Sequence, residues 1–148
     1  MISQLLIGSL IIAVTTIFHA AFIEAGIAGL THFGRRLTAT PSYRTKTAML
    51  VAATLWLLAS HSVGVWLWAF MFILLRAIDG LEPAVYFSLV TFTTLGYGDI
   101  TLDENWRLLS ALCAANGLLL FGFSTAFLVE LMRRLRQELA AVPENSSS

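Results

Sequence analysis

Residues 91–100, TFTTLGYGDI, form a short stretch rich in threonine and glycine between long apolar segments. The chemistry such a stretch can do is carried by its backbone. Gly96 and Gly98 accept conformations that other residues resist, so successive carbonyl oxygens can be turned to one side, where they can stand in for the water around a cation. Four copies of such a loop would close a ring around an ion. Elsewhere, His19, Glu24 and His61 are the groups that could pass protons at membrane depth. No nucleophile paired with a base, metal-ligand cluster or phosphate loop stands out, so neither enzymatic activity nor an organic cofactor is expected.

The elements that must position this loop follow from composition. Of 148 residues, 57% are hydrophobic and 12% charged, and mean hydropathy is +0.79; soluble domains carry about 25% charged residues. Such a chain belongs in a membrane. Three uncharged runs, 1–23, 47–75 and 108–129, reach the about 20 helical residues needed to cross the hydrocarbon. A fourth, 83–98, is too short to cross and is broken by glycines. It reads as a re-entrant segment, because non-helical backbone at that depth survives only where protein covers it or water lines it. The first run lacks a basic start and exceeds the h-region of a secretory signal, so it is expected to be retained. Cys113 is the one cysteine, and no intrachain disulfide can form.

Basic residues set the orientation. Arg35, Arg36, Arg44 and Lys46 lie between the first two runs, and Arg133, Arg134 and Arg136 follow the third; these two regions are expected in the cytoplasm. The connection around the dip holds Asp79, Glu82, Asp99, Asp103 and Glu104 against only Arg76 and Arg107, which places it outside. The N-terminus is then outside and the C-terminus cytoplasmic. Acidic groups repeated around a mouth would concentrate cations there, and a net charge of zero gives no argument for a nucleic acid partner. Asp79-Gly80 reads as a turn, followed by a short helix over about 83–93 with an acid before its first turn and Pro83 near its start. The negative end of its dipole would favour a cation near its C-terminus.

Over roughly residues 81–128 the chain resembles the pore domain of prokaryotic two-helix potassium channels. TTLGYGD is similar to the family's TTVGYGD, with Leu95 in the valine position. The resemblance implies that K⁺ is the permeant ion and that it is held by the carbonyls of Thr94, Leu95, Gly96 and Tyr97 and by the Thr94 hydroxyl. Thr93, Gly98, Asp99 and Tyr86 would support this filter, and Tyr97 would anchor it sideways into aromatics such as Tyr86 and Phe87. Some relatives carry a glutamate behind the filter where this chain has Val90, and a tryptophan where it has Tyr86; a bond from the Tyr86 hydroxyl to Asp99 is therefore expected. The third run would be the pore-lining helix, with Gly117 and Gly122 as candidate hinges, Gly117 the favoured one and Gly122 alternatively a packing contact, and with Leu118, Phe121 and Thr125 lining a mainly apolar cavity. Asn116, polar and at mid-membrane, could bond between helices or line the pore.

The fold expected is an all-α membrane protein with three transmembrane helices, a re-entrant pore helix and a selectivity filter, assembling as a homotetramer in the lipid of a prokaryotic inner membrane. Its parts would be an extra helix (1–34), a cytoplasmic basic loop (35–46), a pore domain (47–132, with outer helix 47–76, pore helix and filter 82–99 and inner helix 107–132) and a tail (133–148). Trp66 and Trp68 suit an aromatic belt, and Trp56 a packed position. His61, at the middle of its run, is expected to be neutral and hydrogen-bonded to a neighbouring helix, with a pH-sensing role as the alternative. Glu24 could pair with Arg133 or Arg134, or reach interfacial water. No run repeats arginine at every third position, so steep voltage gating is not expected, and no gating domain fits after residue 133. Two alternatives to a K⁺ channel are a non-conducting regulatory subunit and a proton-coupled transporter using His19, Glu24 and His61.

Overall fold

The computed structural model describes residues 1–37 and 43–140, and its four elements are all helices: α1 (Ile2–Leu37), α2 (Tyr43–Leu74), α3 (Leu81–Phe92) and α4 (Arg107–Ala140). Segments Ile2–Gly29, Arg44–Leu74 and Arg107–Gln137 each contain an 18-residue stretch of high mean hydropathy, 2.2, 1.8 and 1.9 respectively. At 1.5 Å per residue they span about 42 to 46 Å, more than a bilayer's hydrocarbon. The protein is a multi-pass membrane protein with one short helix, α3, that cannot cross.

These helices are apolar on every side, as helices surrounded by lipid or by other helices must be. Leu6, Leu10, Ile17, Leu55, Leu58 and Phe70 face outward, whereas Trp68, Phe72, Phe92, Leu109 and Leu120 are wholly buried. Both α1 and α3 pack on the α2–α4 pair. Bonded pairs run in step between α1 and α4 (Gln4 with Leu108, Thr15 with Asn116, His19 with Ser124) and in opposition between α1 and α2 (His19 with Ser60, Phe22 with Trp56). So α1 is parallel to α4 and antiparallel to α2. This places the N-terminus of α1 on the side where α4 begins.

Three helix ends have a visible physical cause. At the end of α2 the Arg76 N–H bonds the Ile73 carbonyl and the Ala77 N–H bonds Phe72, both at 2.9 Å, with Arg76 at φ 52°. This is a Schellman stop, built on arginine where glycine is usual. Gly80, at φ 98°, precedes α3, whose first bond runs from the Ala84 N–H to the Gly80 carbonyl. Thus α3 starts at Leu81, two residues before the expected 83; Pro83 fits inside the first turn because an N–H there has no intrahelical partner to lose. The start of α4 is capped from a distance, its Leu108 N–H donating to Oε1 of the buried Gln4 on α1.

Several sequence-based boundaries shift. The expected loop at 35–46 is largely helical, since α1 reaches Leu37 and α2 begins at Tyr43; residues 38–42 lie outside the described ones. The inner helix runs past 132 to Ala140. Charged residues end an apolar run without ending a helix, because Arg, Lys, Gln and Glu are good helix formers.

Candidate functional site

The loop begins where α3 runs out of helical partners. Thr93 donates its N–H and its hydroxyl to the Leu89 carbonyl, at 3.1 and 2.7 Å, and the Thr94 N–H bonds Thr91 at 2.9 Å. The N–H groups of Leu95 and Gly96 then both fold back onto the Val90 carbonyl, at 2.9 and 3.2 Å. Carbonyls left over at a helix end thereby find donors. The first half of TTLGYGD is tied to α3 through its N–H groups.

Beyond this tie the backbone alternates. Thr94, Gly96 and Gly98 have φ of 60°, 57° and 78°, whereas the residues between them are on the negative side. In an ordinary strand successive peptide units point in opposite directions; alternating the sign of φ rotates every second unit and brings carbonyls to a common side. Glycine takes such a φ freely, but Thr94 does so at a cost of about 1–2 kcal/mol. The loop is held in this shape from its far end too, because the Tyr86 hydroxyl donates to Asp99 Oδ2 at 2.7 Å. That bond holds the Asp99 carboxyl below its usual range, and the same bond to Asp99 raises the Tyr86 phenol.

The expected ion-binding residues Thr94, Leu95, Gly96 and Tyr97 are all exposed, with Leu95 55% and Tyr97 68% accessible. Tyr97 therefore does not pack into Tyr86 and Phe87 of its own chain. Instead an open groove of about 510 Å³, lined by Tyr86, Val90, Thr94, Asp99, Arg107 and Ser110, runs between the loop and the first turns of α4.

Behind the loop lies a second constellation. A Cβ on Gly117 would collide with the Phe92 carbonyl, so α4 touches the last turn of α3 backbone to backbone. Gly122 has nothing within 4 Å. Leu118, Phe121 and Thr125 share the exposed side of α4, and the Thr125 hydroxyl is turned back to the Phe121 carbonyl. Asn116 lies off that side, fully buried, its Oδ1 accepting from Thr15 of α1 at 2.8 Å and from Trp68 of α2 at 2.9 Å. Trp68 is correspondingly an interior residue and no part of an interfacial belt; its N–H has found an acceptor inside the bundle. Trp56 donates to the Phe22 carbonyl at 2.7 Å, where Gly26 leaves room for the ring.

His19 and His61 come together. His19 Nδ1 meets Ser60 Oγ at 2.7 Å, while Ser124 Oγ lies 3.2 Å from His19 Nε2 and 2.9 Å from His61 Nε2. Glu24 does not join them: it is exposed, and Arg133 and Arg134, its suggested partners, both bind Glu130 at 2.8 and 2.7 Å. Helical spacing explains this, since Glu130 sits three and four residues from the two arginines on their own helix. Sequence reasoning passed over Thr15, Ser60 and Ser124. A visible signal was the recurrence of Gln4, Gly8, Ile11, Thr15 and His19 at intervals of three and four, which marks one face of α1.

The sequence pattern of an ion channel family matches residues 60–134, half of the chain. The match starts within α2, takes in α3 and the loop, and ends within α4. No curated protein and no solved structure gives a significant match. Membership points away from an enzyme and toward passive conduction, and it leaves α1 outside the shared part. With this pattern laid over the loop and both helices that hold it, the chain belongs to the ion channel family.

Proposed function

We propose that the protein is a K⁺-selective channel in which four copies surround one pore, each supplying the carbonyls of Thr94, Leu95, Gly96 and Tyr97. The observation that carries this reading is the alternation of φ at Thr94, Gly96 and Gly98, with the Leu95 and Gly96 N–H groups drawn back to Val90. Carbonyls freed in this way suit a cation that has lost its water. Three further features support it. The C-terminal end of α3, with its negative dipole, lies at the start of the loop; Leu95 and Tyr97 project from their own chain; and the groove beside the loop has room for a neighbour.

In this reading Leu118, Phe121 and Thr125 line the cavity on the cytoplasmic side of the loop. Gly122, with open space around it, is the place where α4 can bend, while Gly117 keeps its backbone against Phe92. The protein would sit in a prokaryotic inner membrane with its N-terminus outside. Reversal potentials of vesicles containing only this protein, under opposed K⁺ and Na⁺ gradients, test the proposal. A potential that follows the K⁺ gradient is expected; equal permeation of both ions would overturn K⁺ selectivity, and proton-coupled flux would overturn the channel reading itself.

A further inference from the structure

The helix outside the matched region carries half of a histidine pair. Ring centroids of His19 (α1) and His61 (α2) are 5.1 Å apart, and both residues are buried. On its other side His61 stacks on Phe121 of α4 at 4.2 Å and 28°, and it lies 6.2 Å from the ring of Phe92, the last residue of α3. One side-chain chain therefore runs from α1 to the cavity wall and to the helix that holds the loop.

Proton accounting assigns this chain a direction. Ser124 has a single hydroxyl hydrogen and two lone pairs, so one arrangement open to it is to donate to one Nε2 and accept from the other. His61 Nδ1 is buried with no partner among the described residues, and orphaned N–H groups are rarer in proteins than under-used acceptors. His61 thus carries its proton on Nε2 and donates to Ser124, Ser124 donates to His19 Nε2, and His19 donates through Nδ1 to Ser60. Each of the three contacts then has one donor and one acceptor, an arrangement that uses one N–H on each neutral ring. An added proton places an N–H either on His61 Nδ1, where nothing accepts it, or on His19 Nε2, against the Ser124 hydroxyl.

Among the described residues no carboxylate lies beside the pair to balance an added charge. On α1 the next ionisable group, Glu24, is exposed; on α2 Arg44 and Lys46 stand in the first turn, and Arg76 lies beyond its end; on α3 Glu82 is in the first turn and Tyr86 is bound to Asp99; on α4 Arg107 is at the start, Cys113 is about three turns from Ser124, and Glu130 is bound to Arg133 and Arg134. Phe121, stacked on His61, is itself 38% exposed, so displacing it gives a charged His61 a route to water. Taking that route breaks the stack and leaves a positive charge beside the path of a cation.

We propose that His19 and His61, joined through Ser124, form a proton-binding site between α1, α2 and α4 that controls conduction: neutral, it fixes Phe121; protonated on either ring, it releases Phe121 and lowers K⁺ flux. This rests on the K⁺-channel reading above. It makes α1, through His19, a positioning element for the pore.

The test is K⁺ flux from vesicles containing the full chain, between about pH 8 and about pH 4, a range that reaches well below the point at which a free histidine changes charge. Wild-type flux should fall about tenfold on acidification, the scale of a unit charge acting on a cation across a partly buried path. His61→Gln and His19→Gln together should remove the dependence, each flux being scaled to its own value at the alkaline end. Unchanged wild-type flux across the range, or an unchanged fall in the double variant, would overturn the proposal while leaving the channel reading intact. Absence of K⁺ flux at every pH would overturn both. Should the variants fail to reconstitute, the ¹⁵N signals of the wild-type imidazoles decide: titration of either ring in step with flux supports the site, and rings that do not titrate while flux falls exclude it.

Discussion

At the scale of single residues, the shape of the loop depends on two kinds of contact with opposite sensitivities. The Tyr86–Asp99 bond is exposed and charge-assisted. Asp99 is held low, so its contribution is complete above the ordinary carboxylate value of about 4 and is lost as pH falls below it; Tyr86 is held high, so its share persists until pH passes about 10. Between those limits the bond does not titrate, and any pH response near neutrality must arise elsewhere. Tyr86→Phe removes the donor while keeping the ring, and it should shorten the lifetime of the conducting state or reduce K⁺ over Na⁺ selectivity in single-channel records; wild-type values for both would show the bond to be incidental. The two glycines of α4 predict opposite signs. Gly117→Ala drives a methyl into the Phe92 carbonyl and should destabilise by about 1–3 kcal/mol. Gly122→Ala meets nothing and should stabilise the helix by about 1 kcal/mol. Thermal unfolding in detergent reads both, and a lowered open probability in Gly122→Ala would add that the bend is used.

At the scale of elements, α1 is held to the bundle by polar bonds at three levels: Gln4 at the start of α4, Thr15 at Asn116, and His19 at Ser60 and Ser124. Apolar packing alone does not choose between lipid and protein in a membrane, so such bonds set which face of a helix turns inward. Asn116→Leu should cost about 1–3 kcal/mol, because the buried Trp68 N–H loses its acceptor, whereas the Thr15 hydroxyl can fall back on the Ile11 carbonyl. Thr15→Val should cost less, a difference that detergent unfolding of the two variants measures. The same elements show what the sequence disclosed. Length and charge were enough to find three crossing helices and a short one, and the full string TTLGYGD between two apolar runs was enough to pick out the loop. The partner of Asn116, the interior place of Trp68 and the meeting of His19 with His61 depend on how three apolar helices rotate about their axes. An all-round apolar pattern carries almost no information on that rotation. The stop at Arg76 was hidden for a different reason, since glycine usually marks that position.

At the scale of the whole molecule, one chain leaves its most distinctive residues uncovered. Leu95 and Tyr97 project outward, the groove beside α4 stands open, and no chain can close a ring of carbonyls alone. In the proposed tetramer those carbonyls face one another across the axis, where their dipoles repel unless a cation lies between them. A bound ion should therefore act as part of the assembly. A ligand that binds only the assembled state stabilises it by RT ln(1 + [L]/Kd), about 2.7 kcal/mol at a hundredfold excess over Kd. K⁺ should accordingly raise the temperature at which the tetramer dissociates in detergent, as followed by cross-linking or native mass measurement, whereas Na⁺ at equal ionic strength should raise it less, being too small for the same ring. Matching salts for ionic strength matters, because the acidic outer connection, with Asp79, Glu82, Asp103 and Glu104, is screened equally by both ions. Identical dissociation temperatures in K⁺ and Na⁺ would mean that the loop does not form a selective ring. A species that never exceeds one chain would mean that the groove and Tyr97 serve another purpose.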